Sequence, residues 1–301
     1  MTQALGGVRV WVVAIRPRTL TAAMAPVLVG TGLAAGDGVV ALLPALAALA
    51  GAVLIQVATN LANDYFDFVK GSDTPDRIGP TRVTQAGLLT PPQVWRGTVV
   101  TLLLATVVGA YLVWVGGWPI LVVGILSLTL ALAYTGGPFP LAYHGLGDLF
   151  VFLFFGPVAV GGTYWVQGFA LPPDVLLAGI AMGALNTAIL VANNLRDRET
   201  DARVGKRTLA VRMGDGPTQW EYAGLLGVGL LVPPAGVLFL GWHLLVLASW
   251  AALLRALPLV RRVFHFQKRE ELGPVLGGTA RVVGIYGALL ALGLAAGAVG
   301  G

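Results

Sequence analysis

From Val39 to Thr59 the chain carries no charged side chain. About 20 residues at a 1.5 Å rise cross a ~30 Å hydrocarbon core, so this stretch has the length of one membrane passage. Glycine, proline and charge clusters divide the 301 residues into nine such segments, at 19–35, 39–60, 94–114, 119–135, 147–166, 175–195, 218–238, 241–257 and 275–298. Only 11% of residues are charged and 56% are apolar, whereas a soluble domain needs about 25% charge for its surface. The sequence therefore predicts an all-α integral membrane protein with nine transmembrane helices, forming a single domain over 1–301. Its 42 glycines suit close helix approach, with Gly293 and Gly297 as one small-xxx-small pair. Cysteine is absent, which excludes disulfides, a thiolate nucleophile and Cys-ligated zinc. The N-terminal "VRVWVVAIRPRTL" lacks the pattern of a cleaved signal and is expected to belong to the mature chain.

Charge gives the orientation. With a cytoplasmic N-terminus, all 19 Lys and Arg fall in cytoplasmic segments (1–18, 61–93, 136–146, 196–217, 258–274) or in the adjoining helical turns, and none falls in an outer turn. This is the asymmetry of the positive-inside rule. The net charge of +5 then describes a basic face beside anionic lipid or an anionic ligand and implies no nucleic acid. Trp11, Trp95, Trp114, Trp118, Trp165 and Trp242 lie near span ends, as an interfacial belt would, and "RRVFHFQKREE" is expected to be a loop.

The second and sixth spans end in polar stripes. In "TNLANDYFDF", Asn60, Asn63, Asp64 and Asp67 sit at i, i+3, i+4 and i+7, so one helical face carries all four, with Gln56 a turn deeper. In "NNLRDRETDARVGKRT", Asn193, Asp197 and Asp201 follow at i+4 steps with Asn194 alongside. Four spans separate the two, so both helices run the same way and both stripes reach the same membrane face, a weak parallel repeat. Ordinary helix ends also carry Asp and Asn. Two such stripes are different, because carboxylates at a helix C-terminus oppose the dipole and repel each other. A hard cation relieves both costs, and carboxylate plus amide oxygens suit Mg²⁺, which is commonly shared with phosphate oxygens. The basic loops that follow supply Lys70, Arg77, Arg82, Lys206, Arg207 and Arg212, enough to hold a diphosphate by charge-assisted hydrogen bonds. No Walker-type loop is present, which disfavours a nucleotide.

"NLANDYFDFVKGSD" followed by "DRIGP", and "NNLRDRETDARVGKRTLAVRMG" downstream, resemble the two aspartate-rich motifs of the UbiA superfamily of membrane aromatic prenyltransferases. "IRPRTL", "KGSDTPDRIGP", "YHGLGDLFVFLFFGPVAVGGTYWVQ" and "GKRTLAVRMG" are similar to its dihydroxynaphthoate branch, so the likeness covers most of the chain. The resemblance implies nine helices around a central cavity open to lipid. It implies Mg²⁺-dependent transfer of a polyprenyl chain from its diphosphate to 1,4-dihydroxy-2-naphthoate, with loss of CO₂, at the cytoplasmic side of the inner membrane. By the same resemblance Asn60, Asp64, Asp67, Asp197 and Asp201 hold metal, and the four aspartates form the catalytic set. Asn60, Asn63, Asn194, Lys70, Arg77, Arg82 and Lys206 bind substrate or order the loops, and Asp73 is a candidate later member of the first motif. An aromatic face, that of Tyr134, Phe139 or Tyr65, is expected to stabilise the allylic cation.

One departure stands out. Some relatives carry a Lys-Arg pair shortly after the tyrosine that closes the fourth span, whereas "YTGGPFPLAYHGLGD" has no Lys or Arg before Arg196. Arg16 and Arg18 fit either attraction of the acceptor's carboxylate or interfacial snorkelling. The rival acceptor is another phenolic acid such as 4-hydroxybenzoate. An ion-coupled transporter is the rival from a different class, although transporters favour midplane sites and often inverted repeats.

Overall fold

The computed structural model describes residues 7–73 and 78–299. Among them every regular element is helical. Eight helices are long and apolar enough to cross a membrane, and Trp118–Ala133 is a shorter apolar one. An amphipathic helix, α1 (Gly7–Ile15), precedes α2 (Pro17–Gly36), α3 (Leu42–Val69), α4 (Pro91–Gly116) and α5 (Trp118–Ala133). The chain continues through α6 (Gly147–Leu153), α7 (Ala159–Gly168), α8 (Pro173–Arg203), α9 (Leu209–Met213) and α10 (Asp215–Leu240). It closes with α11 (Trp250–Leu254), α12 (Leu257–His265) and α13 (Gly273–Ala295). Helix α8 is the most enclosed span. Helices α4 and α5 turn rows of leucine and valine outward, among them Leu103, Leu104, Val107, Leu121 and Val122, as a lipid-facing surface requires.

Close packing depends on absent side chains. A Cβ on Gly32 of α2 would lie 2.5 Å from the Ala291 carbonyl oxygen of α13, so these helices touch backbone to backbone. Of the Gly293 and Gly297 pair only Gly293 serves this purpose, against the backbone of Val246, while Gly297 meets nothing. Helices α3 and α8 run 28 and 31 residues, past the roughly 20 that hydrocarbon demands. The expected stripes therefore stand on continuous helix.

Three expectations need revision. The fifth span is broken, because α6 passes through a π-helical turn, Phe154–Val158, before α7. Pro157 there has no N–H to donate and crowds the carbonyl four residues back. The eighth span is a 3-10 stretch, Leu244–Ser249, then α11 and α12. Half of "RRVFHFQKREE" is thus amphipathic helix rather than loop. The tryptophan belt is partial: Trp114 and Trp118 are exposed, but Trp242 is buried and donates its indole N–H to Asp174, and a Cβ on Gly97 would strike the Trp11 ring.

Candidate active site

The chain turns from α1 into α2 at Arg16, whose φ of 56° is left-handed, a conformation costing about 1–2 kcal/mol for a residue with a Cβ. Pro17 starts α2 with φ already fixed for a helix. The turn is held from α3: Asn60 Nδ2 donates to the Ile15 carbonyl at 2.8 Å and to Thr19 Oγ1 at 3.0 Å. Asn60 thereby brings the N-terminal helix to the first motif; its Oδ1 accepts a long 3.4 Å bond from Gln56, and the residue lines a cavity.

Asp64 is buried and accepts the backbone N–H groups of Val83 (3.1 Å) and Thr84 (3.0 Å), with Arg16 Nη2 3.5 Å away. It folds the basic loop back over its own helix. Asp67 receives Arg82 Nη2 at 3.0 Å and the Tyr143 hydroxyl at 3.3 Å. Arg82 Nε also lies 3.5 Å from Asp73, so Asp73 positions Arg82 from behind. Arg82 Nη1 is buried with no hydrogen-bond partner among the described residues, although Arg82 lines the cavity. A guanidinium edge left so is set up for an anionic ligand.

The second motif is paired differently from expectation. Asp197 is gripped by Arg196, the residue before it, through Nε at 2.7 Å and Nη2 at 2.6 Å, and Arg196 also donates to Asn193. Asp201 lies 3.4 Å from Lys206, and its Oδ2 is buried without a hydrogen-bond partner among the described residues. Burial disfavours the Lys206 ammonium, but Asp201, then Asp67 and Asp197, hold its pKa above the ordinary lysine value. Lys70 donates to the Thr135 carbonyl at 2.6 Å. Burial lowers its pKa and Asp67 partly offsets that.

Tyr143 ties the two motifs together. Its hydroxyl shares a 2.5 Å hydrogen bond with Ser72 besides donating to Asp67, and Lys70 and Lys206 lie 4.9 and 5.9 Å from its ring centre. Burial, then the Asp67 charge, pushes the phenol up to about 12. Its loop, after α5, lacks the basic pair of some relatives but docks on the second motif's loop: Arg207 N–H donates to the Tyr143 carbonyl and Arg212 to that of His144.

Part of this network lines a polar cavity of about 190 Å³. Of the expected residues, Asn60, Asn63, Asp67, Arg82, Tyr134, Asn194 and Lys206 line it. Asp64, Asp197, Asp201 and Lys70 sit outside its lining, held by the partners just described, and Arg77 lies outside the described residues. A second cavity of about 640 Å³, bounded almost wholly by apolar side chains of α2 to α7, shares Gln56, Asn60, Asn63, Tyr134, Val151 and Phe155 with the first. The molecule thus joins a greasy chamber to a charged vestibule. Among the described residues no three His, Cys, Asp or Glu side chains converge tightly enough to hold a metal ion by themselves. The donor set nonetheless fits Mg²⁺, since every candidate is a hard oxygen, Asp201 Oδ2 is unclaimed, and Mg²⁺ usually takes part of its shell from phosphate and water.

A multi-pass membrane protein with an apolar chamber ending in a paired aspartate and basic vestibule is a receptacle for an amphiphile with an anionic head. Residues 23–274 match the UbiA prenyltransferase family, and the chain belongs to that family. It is 41% identical over 287 residues to a Mycobacterium tuberculosis protein named 1,4-dihydroxy-2-naphthoate octaprenyltransferase, covering 95% of this chain and 97% of that one. A protein of the same name from Escherichia coli is 39% identical, with 97% of both chains covered. Rat UbiA prenyltransferase domain-containing protein 1 is 32% identical over 265 residues, covering 87% of this chain and 74% of the relative. The fold is also that of an apo UbiA homologue from Aeropyrum pernix, with a TM-score of 0.70 at 16% identity over 89% of this chain and 96% of the other. An Archaeoglobus fulgidus UbiA homologue solved with DMAPP and Mg²⁺ shares it at a TM-score of 0.60 and 14% identity, covering 93% and 98%.

Proposed function

We propose that the protein transfers a polyprenyl group from its diphosphate to 1,4-dihydroxy-2-naphthoate with loss of CO₂, forming a demethylmenaquinol for menaquinone synthesis. The observation that carries this reading is the junction of the two cavities at Asn60, Asn63 and Tyr134. An isoprenoid tail suits the apolar chamber and its diphosphate suits the vestibule, which puts the allylic carbon at the junction. The names borne by the bacterial relatives support the acceptor, and their high coverage of both chains supports one shared activity.

Arg82 Nη1 and Lys206 face the diphosphate from the vestibule, with Lys70 on the same loop as Arg82. Asn60, Asp64, Asp67, Asp197 and Asp201 would hold Mg²⁺, which would supply neutralisation of diphosphate charge and so a better leaving group. The Tyr134 ring flanks the junction, where its face stabilises allylic positive charge by about 0.5–2 kcal/mol. The apolar walls keep water from that carbon. The site opens to the cytoplasmic side of the inner membrane, as the distribution of Lys and Arg supports.

The test offers purified protein a polyprenyl diphosphate and Mg²⁺ with either dihydroxynaphthoate or 4-hydroxybenzoate, and identifies the products by mass spectrometry. A prenylated, decarboxylated naphthalenediol is expected from the first and nothing from the second. Prenylated hydroxybenzoate alone would reject the assigned acceptor.

A further inference from the structure

The vestibule contains one carboxylate that neither aspartate-rich motif supplies. Asp148, in the first turn of α6, is more than nine-tenths buried. Its Oδ2 has no hydrogen-bond partner among the described residues, yet Asp148 lines the polar cavity. A buried carboxylate oxygen left without a partner is costly, and the pairing within the two motifs does not claim this one. Its location is informative. Val151, one helical turn further and so on the same face, lines both cavities, which puts Asp148 one turn from the junction on the vestibule side. Asn186, Asn193 and Asn194 of α8 line the same vestibule, giving neutral hydrogen-bonding groups suited to a polar aromatic ring. The Arg82 and Lys206 groups that suit a diphosphate come from the motif loops. Close approach fixes α6 here: a Cβ on Gly183 of α8 would lie 2.5 Å from the Phe152 carbonyl oxygen, and Thr187 of α8 donates to the Asp148 carbonyl at 3.5 Å.

We propose that Asp148 is the general base that takes the proton from a ring hydroxyl of the acceptor as its carbon attacks the prenyl group. This inference rests on the functional reading above. The hydroxyl proton passes to an Asp148 carboxylate oxygen, and the C–O bond to the diphosphate breaks as the ring carbon bonds to the allylic carbon. The product is a ketone bearing the carboxylate on the prenylated carbon. CO₂ then departs, its bonding pair returns to the ring, and the resulting naphtholate recovers the proton from Asp148. No oxidant or further reactant is needed. A deprotonated ring is the stronger nucleophile, so the base contributes where the barrier lies.

The ionisable neighbours whose charges are felt with that of Asp148 are Tyr134 and Glu221. Tyr143 and His144 on the adjoining 3-10 turn, and Arg196 and Asp197 on α8, belong to elements packed against α6. The test measures kcat, KM for both substrates and the pH profile of Asp148→Asn and Asp148→Glu in the full-length protein. For Asp148→Asn the expected result is a fall in kcat of about 10²–10⁴-fold with little change in either KM. Its rate should climb about tenfold per pH unit as the acceptor ionises in solution, unlike the wild type. Asp148→Glu, which keeps a carboxylate, should recover part of the rate even if the Asn variant folds poorly. An Asn variant at wild-type rate, an Asn variant whose loss does not lessen with pH, or a Glu variant no better than Asn would overturn the proposal. Should the wild-type protein prenylate no hydroxylated aromatic acid, the functional reading would fall, and this inference with it. A normal wild type beside any of those variant results removes only the base.

Discussion

At the residue scale, Asp64 holds a loop while Asp67 lines the cavity. Asp64 accepts two backbone N–H groups of the basic loop. Asp64→Asn would set an amide N–H against one of them and cost about 1–3 kcal/mol locally. The expected outcome is faster hydrogen exchange at Val83 and Thr84 together with loss of prenyl transfer; unchanged exchange would contradict the loop-holding role. Tyr143→Phe removes the hydroxyl shared with Asp67 and Ser72, and a hydrogen bond to a charged group contributes about 1.5–3 kcal/mol. KM for the prenyl diphosphate should rise by about tenfold or more. The pH dependence follows from the raised phenol pKa. The stabilisation from the neutral Tyr143 hydroxyl is complete below the unfolded value of 10 and disappears as pH rises towards about 12. Tyrosinate absorbance, wild type minus Tyr143→Phe, should therefore show a group titrating near 12; a component titrating at 10 would refute this. Part of this site is legible in the sequence alone, because Asn60, Asn63, Asp64 and Asp67 repeat with helical spacing directly after an apolar run. Tyr143, Arg196 and Asp148 are not legible in that way. Their roles arise from contacts between loops far apart in sequence, or from a guanidinium turning back on its neighbour, and such contacts carry no periodicity.

At the element scale, length outweighs local propensity. Helices α3 and α8 continue beyond the apolar run, which carries both stripes clear of hydrocarbon and onto the rim of the vestibule. The expectation of helical stripes succeeded because a period of 3.6 survives in a continuous helix. It failed in the fifth span, where a uniformly apolar segment conceals the π-turn at Phe154–Val158. Hydrophobic runs indicate burial in lipid but are silent about where backbone hydrogen bonding shifts register. The contact between α6 and α8 at Gly183 gives a prediction at this scale. Gly183→Ala would place a methyl 2.5 Å from the Phe152 carbonyl, and such overpacking costs about 1–3 kcal/mol. A lower melting temperature with a reduced kcat is expected, because α6 carries Asp148 and Val151 to the cavities. Wild-type melting and rate would show that α6 has room to move.

At the scale of the whole molecule, the chain separates what its substrate joins. Helices α2 to α7 enclose the apolar chamber, while the ends of α3 and α8 and three loops form the charged vestibule. This plan explains why so apolar a sequence concentrates its buried charge at one place, and why Asp64, Asp67, Asp197 and Asp201 each have a cationic or backbone partner there. The central claim is that diphosphate departure and prenyl transfer at the junction are followed by decarboxylation in every turnover. The most direct measurement uses acceptor labelled in its carboxyl group and follows diphosphate release and labelled CO₂ together, with and without a metal chelator. The account predicts one CO₂ for each diphosphate released, and neither product once Mg²⁺ is removed. Diphosphate release at full rate without CO₂, or turnover unaffected by chelation, would contradict it.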